Sequence, residues 1–134
     1  MLKKIFFLGI SAGIFSAVAS IVYSRVYIFA LGDQFSKIIN PASLTGINLL
    51  GCLLAALGYW ISKRLFGTKA EIVFNISFTL VSFASIVVPF AVTLPYNIKN
   101  PEYFYGLAVP MHFFPALGWF TLRPFFFKEA VSEV

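Results

Sequence analysis

One histidine, His112, lies between Pro110 and Pro115 in a run of 20 residues, 103 to 122, that contains no Asp, Glu, Lys or Arg. An imidazole there can relay a proton or hold a ligand through a hydrogen bond, and keeping an ionisable group among apolar residues costs free energy that a packing side chain would avoid. Two readings of His112 stand side by side. It anchors a ligand, or it is a neutral imidazole hydrogen-bonded to Ser85, Asn48 or a backbone carbonyl that a proline leaves without its usual donor.

The remaining reactive types narrow the chemistry. One histidine and one cysteine, Cys52, cannot build a multi-histidine or thiolate metal site, and the residues specify no cofactor. Cys52 falls mid-run and reads first as a small apolar packing residue. A base at residue 112 would need a carboxylate partner, and the candidates, Asp33 and Glu102, sit at the edges of the charge-free runs. No Gly-rich phosphate loop follows a strand. A catalytic role therefore has no constellation to support it, and the expectation is a protein that is not an enzyme.

Composition explains where such a histidine is held. Of 134 residues, 60% are hydrophobic and 11% charged, far from the ~45–50% and ~25% of soluble chains. Mean hydropathy is +0.89. The formal charge of +5 is dispersed singly or in pairs, so no continuous basic patch is available to track nucleic-acid phosphates.

Charge-free runs of 20, 25, 27 and 20 residues separate Lys4 from Arg25, Lys37 from Lys63, Glu71 from Lys99 and Glu102 from Arg123. A helix rises about 1.5 Å per residue and the hydrocarbon core of a bilayer is about 30 Å thick, so each run can span. Runs such as Ile86-Val87-Val88 and Phe125-Phe126-Phe127 lack the alternation of a transmembrane barrel. The pattern predicts an all-α integral membrane protein, a single domain over residues 1–134. Its four transmembrane helices cover roughly 5–24, 41–62, 72–94 and 103–122.

Seven basic residues (Lys3, Lys4, Lys63, Arg64, Lys69, Arg123, Lys128) would lie on one side and three (Arg25, Lys37, Lys99) on the other. The positive-inside rule then puts both termini in the cytoplasm. Asn40-Pro41 and Asn100-Pro101 pair a capping side chain with a proline suited to the first helical position, at the outer starts of helices two and four. Lys3-Lys4, an apolar run and Ala17-Val18-Ala19 imitate a cleavable signal, but apolar residues continue through Ile21, Val22 and Tyr23, so helix one reads as a permanent span. With no sorting signal in view, the expected home is a bacterial inner membrane.

A shift of 60 residues aligns Asn40, Pro41, Gly46, Ala56, Leu57, Gly58 and Phe66 with Asn100, Pro101, Gly106, Ala116, Leu117, Gly118 and Phe126. Upstream, Ala19-Ser20-Ile21-Val22 matches Ala84-Ser85-Ile86-Val87 at a shift of 65. One reading is duplication of a helical hairpin, residues 1–66 and 67–134, about a pseudo-twofold axis along the membrane normal. The other is chance among segments of narrow composition, with ordinary caps and interfacial aromatics. Under duplication, Cys52 corresponds to His112 and Ser20 to Ser85.

Small and polar residues mark the faces that should look inward. Gly9, Gly13 and Ala17 repeat at four-residue spacing beside the row Ser16, Ser20, Ser24. Between lipid-immersed helices, close approach drives association and each hydrogen bond adds only ~0.6 kcal/mol. Thr45, Asn48, Cys52, Ala55 and Tyr59 form the matching stripe on helix two, and Asn75, Thr79 and Ser82 that on helix three. His112, Ala116, Trp119 and Arg123 share a face of helix four, where the prolines predict a kink. The candidate ligand-binding set is His112, Asn48, Ser85, Ser20, Cys52 and Trp119, with the first three at similar depth.

Two functional classes remain. The preferred one is a small bundle that binds an apolar or amphipathic molecule, or serves as accessory subunit of a larger membrane complex, with the bilayer as its constant partner. Seventeen phenylalanines supply surface for either role. The alternative is a homo-oligomeric transporter or channel that uses His112, since four helices alone enclose little space.

Overall fold

In the computed structural model, which describes residues 1–32 and 35–128, every regular element is helical and no strand occurs among the described residues. The elements are α1 (Leu2–Leu31), α2 (Pro41–Phe66), a 3₁₀ turn (Gly67–Lys69), α3 (Ala70–Ser85), α4 (Val87–Ala91), α5 (Glu102–Met111) and α6 (Phe114–Phe126). Two stretches are long and apolar enough to cross a membrane: Leu2–Leu31, and Pro41–Ala91, which holds α2, the turn, α3 and α4.

Local chemistry sets the boundaries. Asn40 caps α2, its Oδ1 accepting the Ser43 N–H at 2.9 Å, and Pro41 occupies the first turn. Gly67, at φ +52°, ends α2 in the left-handed region, and the chain reverses into α3. The third predicted span is interrupted at Ile86. There Pro89 has no N–H for the carbonyl of Ser85, and the Ile86 N–H turns to Phe83 O at 3.2 Å. The fourth is divided at His112–Phe113, between the two prolines that predict a kink. Helix one runs seven residues past its expected end at 24, which shortens the connection to α2.

α1 is the central element. Its small-residue face is buried: Gly9, Ala12, Gly13, Ser16, Ala17, Ser20 and Ser24 all pack inside. A Cβ on Gly9 would lie 2.9 Å from Ala56 Cβ and 3.1 Å from Cys52 O, and one on Gly13 would lie 2.9 Å from Leu49 Cα. Backbone therefore meets backbone along the antiparallel α1–α2 pair. On its other side α1 meets α6, where a Cβ on Gly118 would overlap Ser16 Oγ and lie 2.9 Å from Ala12 O. α3 packs chiefly on α2, through Tyr59 and Phe74 with ring centroids 5.2 Å apart, and touches α6 only slightly. The α1–α2 interface is thus broad and the α3–α6 interface narrow.

The interior divides by height. At the end carrying the α2–α3 turn, Ile5, Leu8, Cys52, Tyr59, Phe74 and Trp119 form one apolar cluster. At the opposite end Phe35, Leu44, Phe104, Leu107 and Met111 form another. Lys63 stands 5.5 Å over the Tyr59 ring and Arg64 5.1 Å over Trp60, so the cations of the first end rest on its aromatic residues.

These contacts predict opposite results for two glycines in helices. Gly118→Ala should destabilise the fold by about 1–3 kcal/mol, because the methyl group has to displace α1. Gly46→Ala, which meets nothing within 4 Å, should be neutral or stabilising by up to about 1 kcal/mol. Unfolding of both variants in the same detergent provides the comparison.

Candidate functional site

Prolines create the polar features of this bundle by removing backbone donors. Pro110 contributes no N–H to the carbonyl of Gly106, four residues earlier, and Tyr23 of α1 donates its hydroxyl to that oxygen at 2.8 Å. One turn along α1, Tyr27 donates to Tyr103 O at 2.6 Å. At the break itself the His112 and Phe113 N–H groups bond three residues back, to Val109 O and Pro110 O at 3.2 and 3.1 Å. The Ala108 carbonyl receives His112 Nδ1 at 2.8 Å; a carbonyl only accepts, so Nδ1 carries the proton.

The candidate residues separate into three groups. Asn48 and Ser20 meet between α2 and α1, where the amide Nδ2 donates to Ser20 Oγ at 3.1 Å and to Leu44 O at 2.7 Å. Cys52 lies on the same stripe, fully buried, its Sγ 3.8 Å from Pro115 O. Ser85 and His112 stay within their own helical segments: Ser85 Oγ donates to Ser82 O at 2.7 Å, and His112 bonds the carbonyl four residues before it. No hydrogen bond among the described residues joins His112 to Asn48 or Ser85. Trp119 is fully buried at the basic end, packed on Tyr59, Phe74 and Phe78 at centroid distances of 5.9, 5.4 and 6.2 Å.

Asn48 Oδ1 and Trp119 Nε1 are buried without a hydrogen-bond partner among the described residues. Ser16, in the α1 row with Ser20, is better served: its hydroxyl lies 2.7 Å from Ala12 O and 2.8 Å from Phe114 O, so its single proton is shared across the α1–α6 contact. Asp33 lies outside the described residues, and Glu102 opens α5.

Two features have no counterpart in the candidate set. Arg123, buried on α6, pairs with Glu71 in the first turn of α3 and ties those helices together at the basic end. Their opposite charges, each bounding a charge-free run, were the available sequence signal. Away from that pair, α3 and α6 part around a cleft of about 460 Å³. Thr79, Ser82 and Phe83 of α3 form one wall; Pro110, the Phe113 break and Phe114, Ala116, Leu117 and Phe120 of α6 form the other. Phe83 and Leu117 are exposed, so the cleft opens on the flank of the molecule, whereas Ala116 is buried at its floor. Ser82 donates to Phe78 O at 2.9 Å, which leaves the walls essentially apolar. None of the six candidate residues lines it, although Ser85 and His112 adjoin its walls in sequence.

The Tyr23 bond predicts a specific coupling. Tyr23→Phe should cost about 1 kcal/mol in unfolding free energy, and most of that loss should vanish in a Pro110→Ala background, where the new N–H supplies Gly106 O. A double-mutant cycle in detergent measures it. No protein family, curated protein or solved structure matches this chain significantly.

Proposed function

We propose that this protein is a four-span membrane bundle that binds one apolar chain, an acyl or polyprenyl tail, in the cleft between α3 and α6. A single observation carries the reading: a space of about 460 Å³ with apolar walls, inside the ~300–1,000 Å³ range of small-molecule sites, opening sideways where a bilayer would supply such chains. α1, α2, α3 with α4, and α5 with α6 are the four spans. The basic ends of α2 and α6 face the cytoplasm, by the distribution of lysine and arginine, in a bacterial inner membrane. The binding role is not catalytic, and it is compatible with service as accessory subunit of a larger complex whose lipid-facing side chain enters the same cleft.

The cleft lies between two places where α3 meets the fourth segment. At one, Glu71–Arg123 and the Tyr59, Phe74, Trp119 rings fix it; at the other, Phe83 packs edge-on against Phe113 with ring centroids 5.2 Å apart, and between them the cleft keeps α3 off α6. Filling the cleft from within tests this. Native mass spectrometry of protein extracted gently from its own membrane should show a monomer carrying a reproducible apolar adduct. Occupancy should fall about tenfold in Ala116→Phe, whose ring occupies the floor, while cooperative unfolding persists. Equal adducts in both proteins, or none in either, would overturn the reading.

The break at His112–Phe113 favours a second reading, a homo-oligomeric transporter in which α5 swings on α6. A homodimer without adduct in the same spectrum would support it over the binding role.

A further inference from the structure

A second cavity, of about 100 Å³, lies at the far end from Arg123, between the end of α1 and the start of α2. Ser24 and Arg25 reach it from α1, Ser36 and Asn40 from the connection, against an apolar wall that includes Ile21 and Ile39. The polar groups are unusual in what they leave open. Ser24 is only 5% exposed, and its hydroxyl takes part in no hydrogen bond among the described residues, unlike Ser16 and Ser82, which return to the carbonyl four residues back. Arg25 forms no ion pair among the described residues. Asn40 Oδ1 is engaged by the Ser43 N–H, so its Nδ2 is the group left to donate, and the positive end of the α2 dipole starts there.

A guanidinium, two hydroxyls, an amide N–H₂ and a helix N-terminus are all suited to an anion, and the guanidinium disfavours a cation. The volume suits a group of phosphate size. The isoleucine wall would take the carbon stem of a phosphate ester. We propose that this cavity binds a phosphate-type anion, with Arg25 as counter-charge and Ser24 and Ser36 as hydroxyl donors; this site is independent of the α3–α6 cleft.

The test uses the full chain in zwitterionic detergent micelles, with phosphatidylglycerol as first probe and native mass spectrometry as readout. Wild type should retain the lipid, Arg25→Gln should retain about tenfold less, and Ser24→Ala, which touches no charge, should also retain less, both with unchanged unfolding midpoints. Lys99→Gln, at the same end of the molecule but outside the cavity, should match wild type. Displacement by excess inorganic phosphate would identify the free anion as sufficient ligand; retention against it would identify the lipid headgroup with its stem, and either agrees with the proposal. Unchanged retention in Arg25→Gln, an equal loss in Lys99→Gln, or no retention by wild type would overturn it.

Discussion

The structure depends on the closeness of α1 to its neighbours. Gly9 and Gly13 bring it against the backbone of α2, and Gly118 brings α6 against Ala12 and Ser16. Apolar side chains have little reason to leave lipid for one another, so van der Waals contact at small residues is what distinguishes a neighbour helix from solvent. Once α1 is occupied on two sides, α3 is left to pack on α2 and to meet the fourth segment narrowly, at Glu71–Arg123 and at Phe83–Phe113. The large apolar residues on its other faces, including Ile72, Ile76, Leu80 and Val81, remain outside.

Polar groups follow from the same economy. A carbonyl buried away from water and deprived of its donor is costly, so the prolines of the fourth segment call for replacement donors. Tyr23 serves Gly106, and His112 serves Ala108, whose usual donor turns to Val109 at the break. The histidine thus has a structural occupation that its position between two prolines made available. The function proposed for the bundle accordingly rests on the space beside the break, and His112 borders that space without lining it.

Much of the fold was legible because it depends on local rules. The Asn40-Pro41 cap, the small-residue rows of helix one and the kink between Pro110 and Pro115 follow from capping, close approach and lost donors, and each has a direct counterpart. Asn48 and Ser20 each lie on a stripe that the sequence marks as inward, and they meet there, although the expected neighbours of Asn48 were His112 and Ser85. His112, Asn48 and Ser85 were grouped by depth, and depth gives height in a bundle without giving azimuth. Ser85 and His112 are engaged by carbonyls of their own segments, while Trp119 is surrounded by rings of α2 and α3 two turns from the break. The cleft was beyond reach because it is an absence of contact. It arises from unequal packing of α3 on its two neighbours, which a pattern of residue types along one chain does not record.

The proposed function turns most directly on whether a separate molecule fills the α3–α6 cleft in the membrane. A short aliphatic diazirine side chain placed at Ala116, buried at the cleft floor, can be photoactivated in intact membranes and its product identified by mass. Attachment of a small apolar molecule from the bilayer is the expected result. Insertion only into α3, joining residue 116 to the chain around Thr79 or Phe83, would mean that the two helices close on each other and would contradict it.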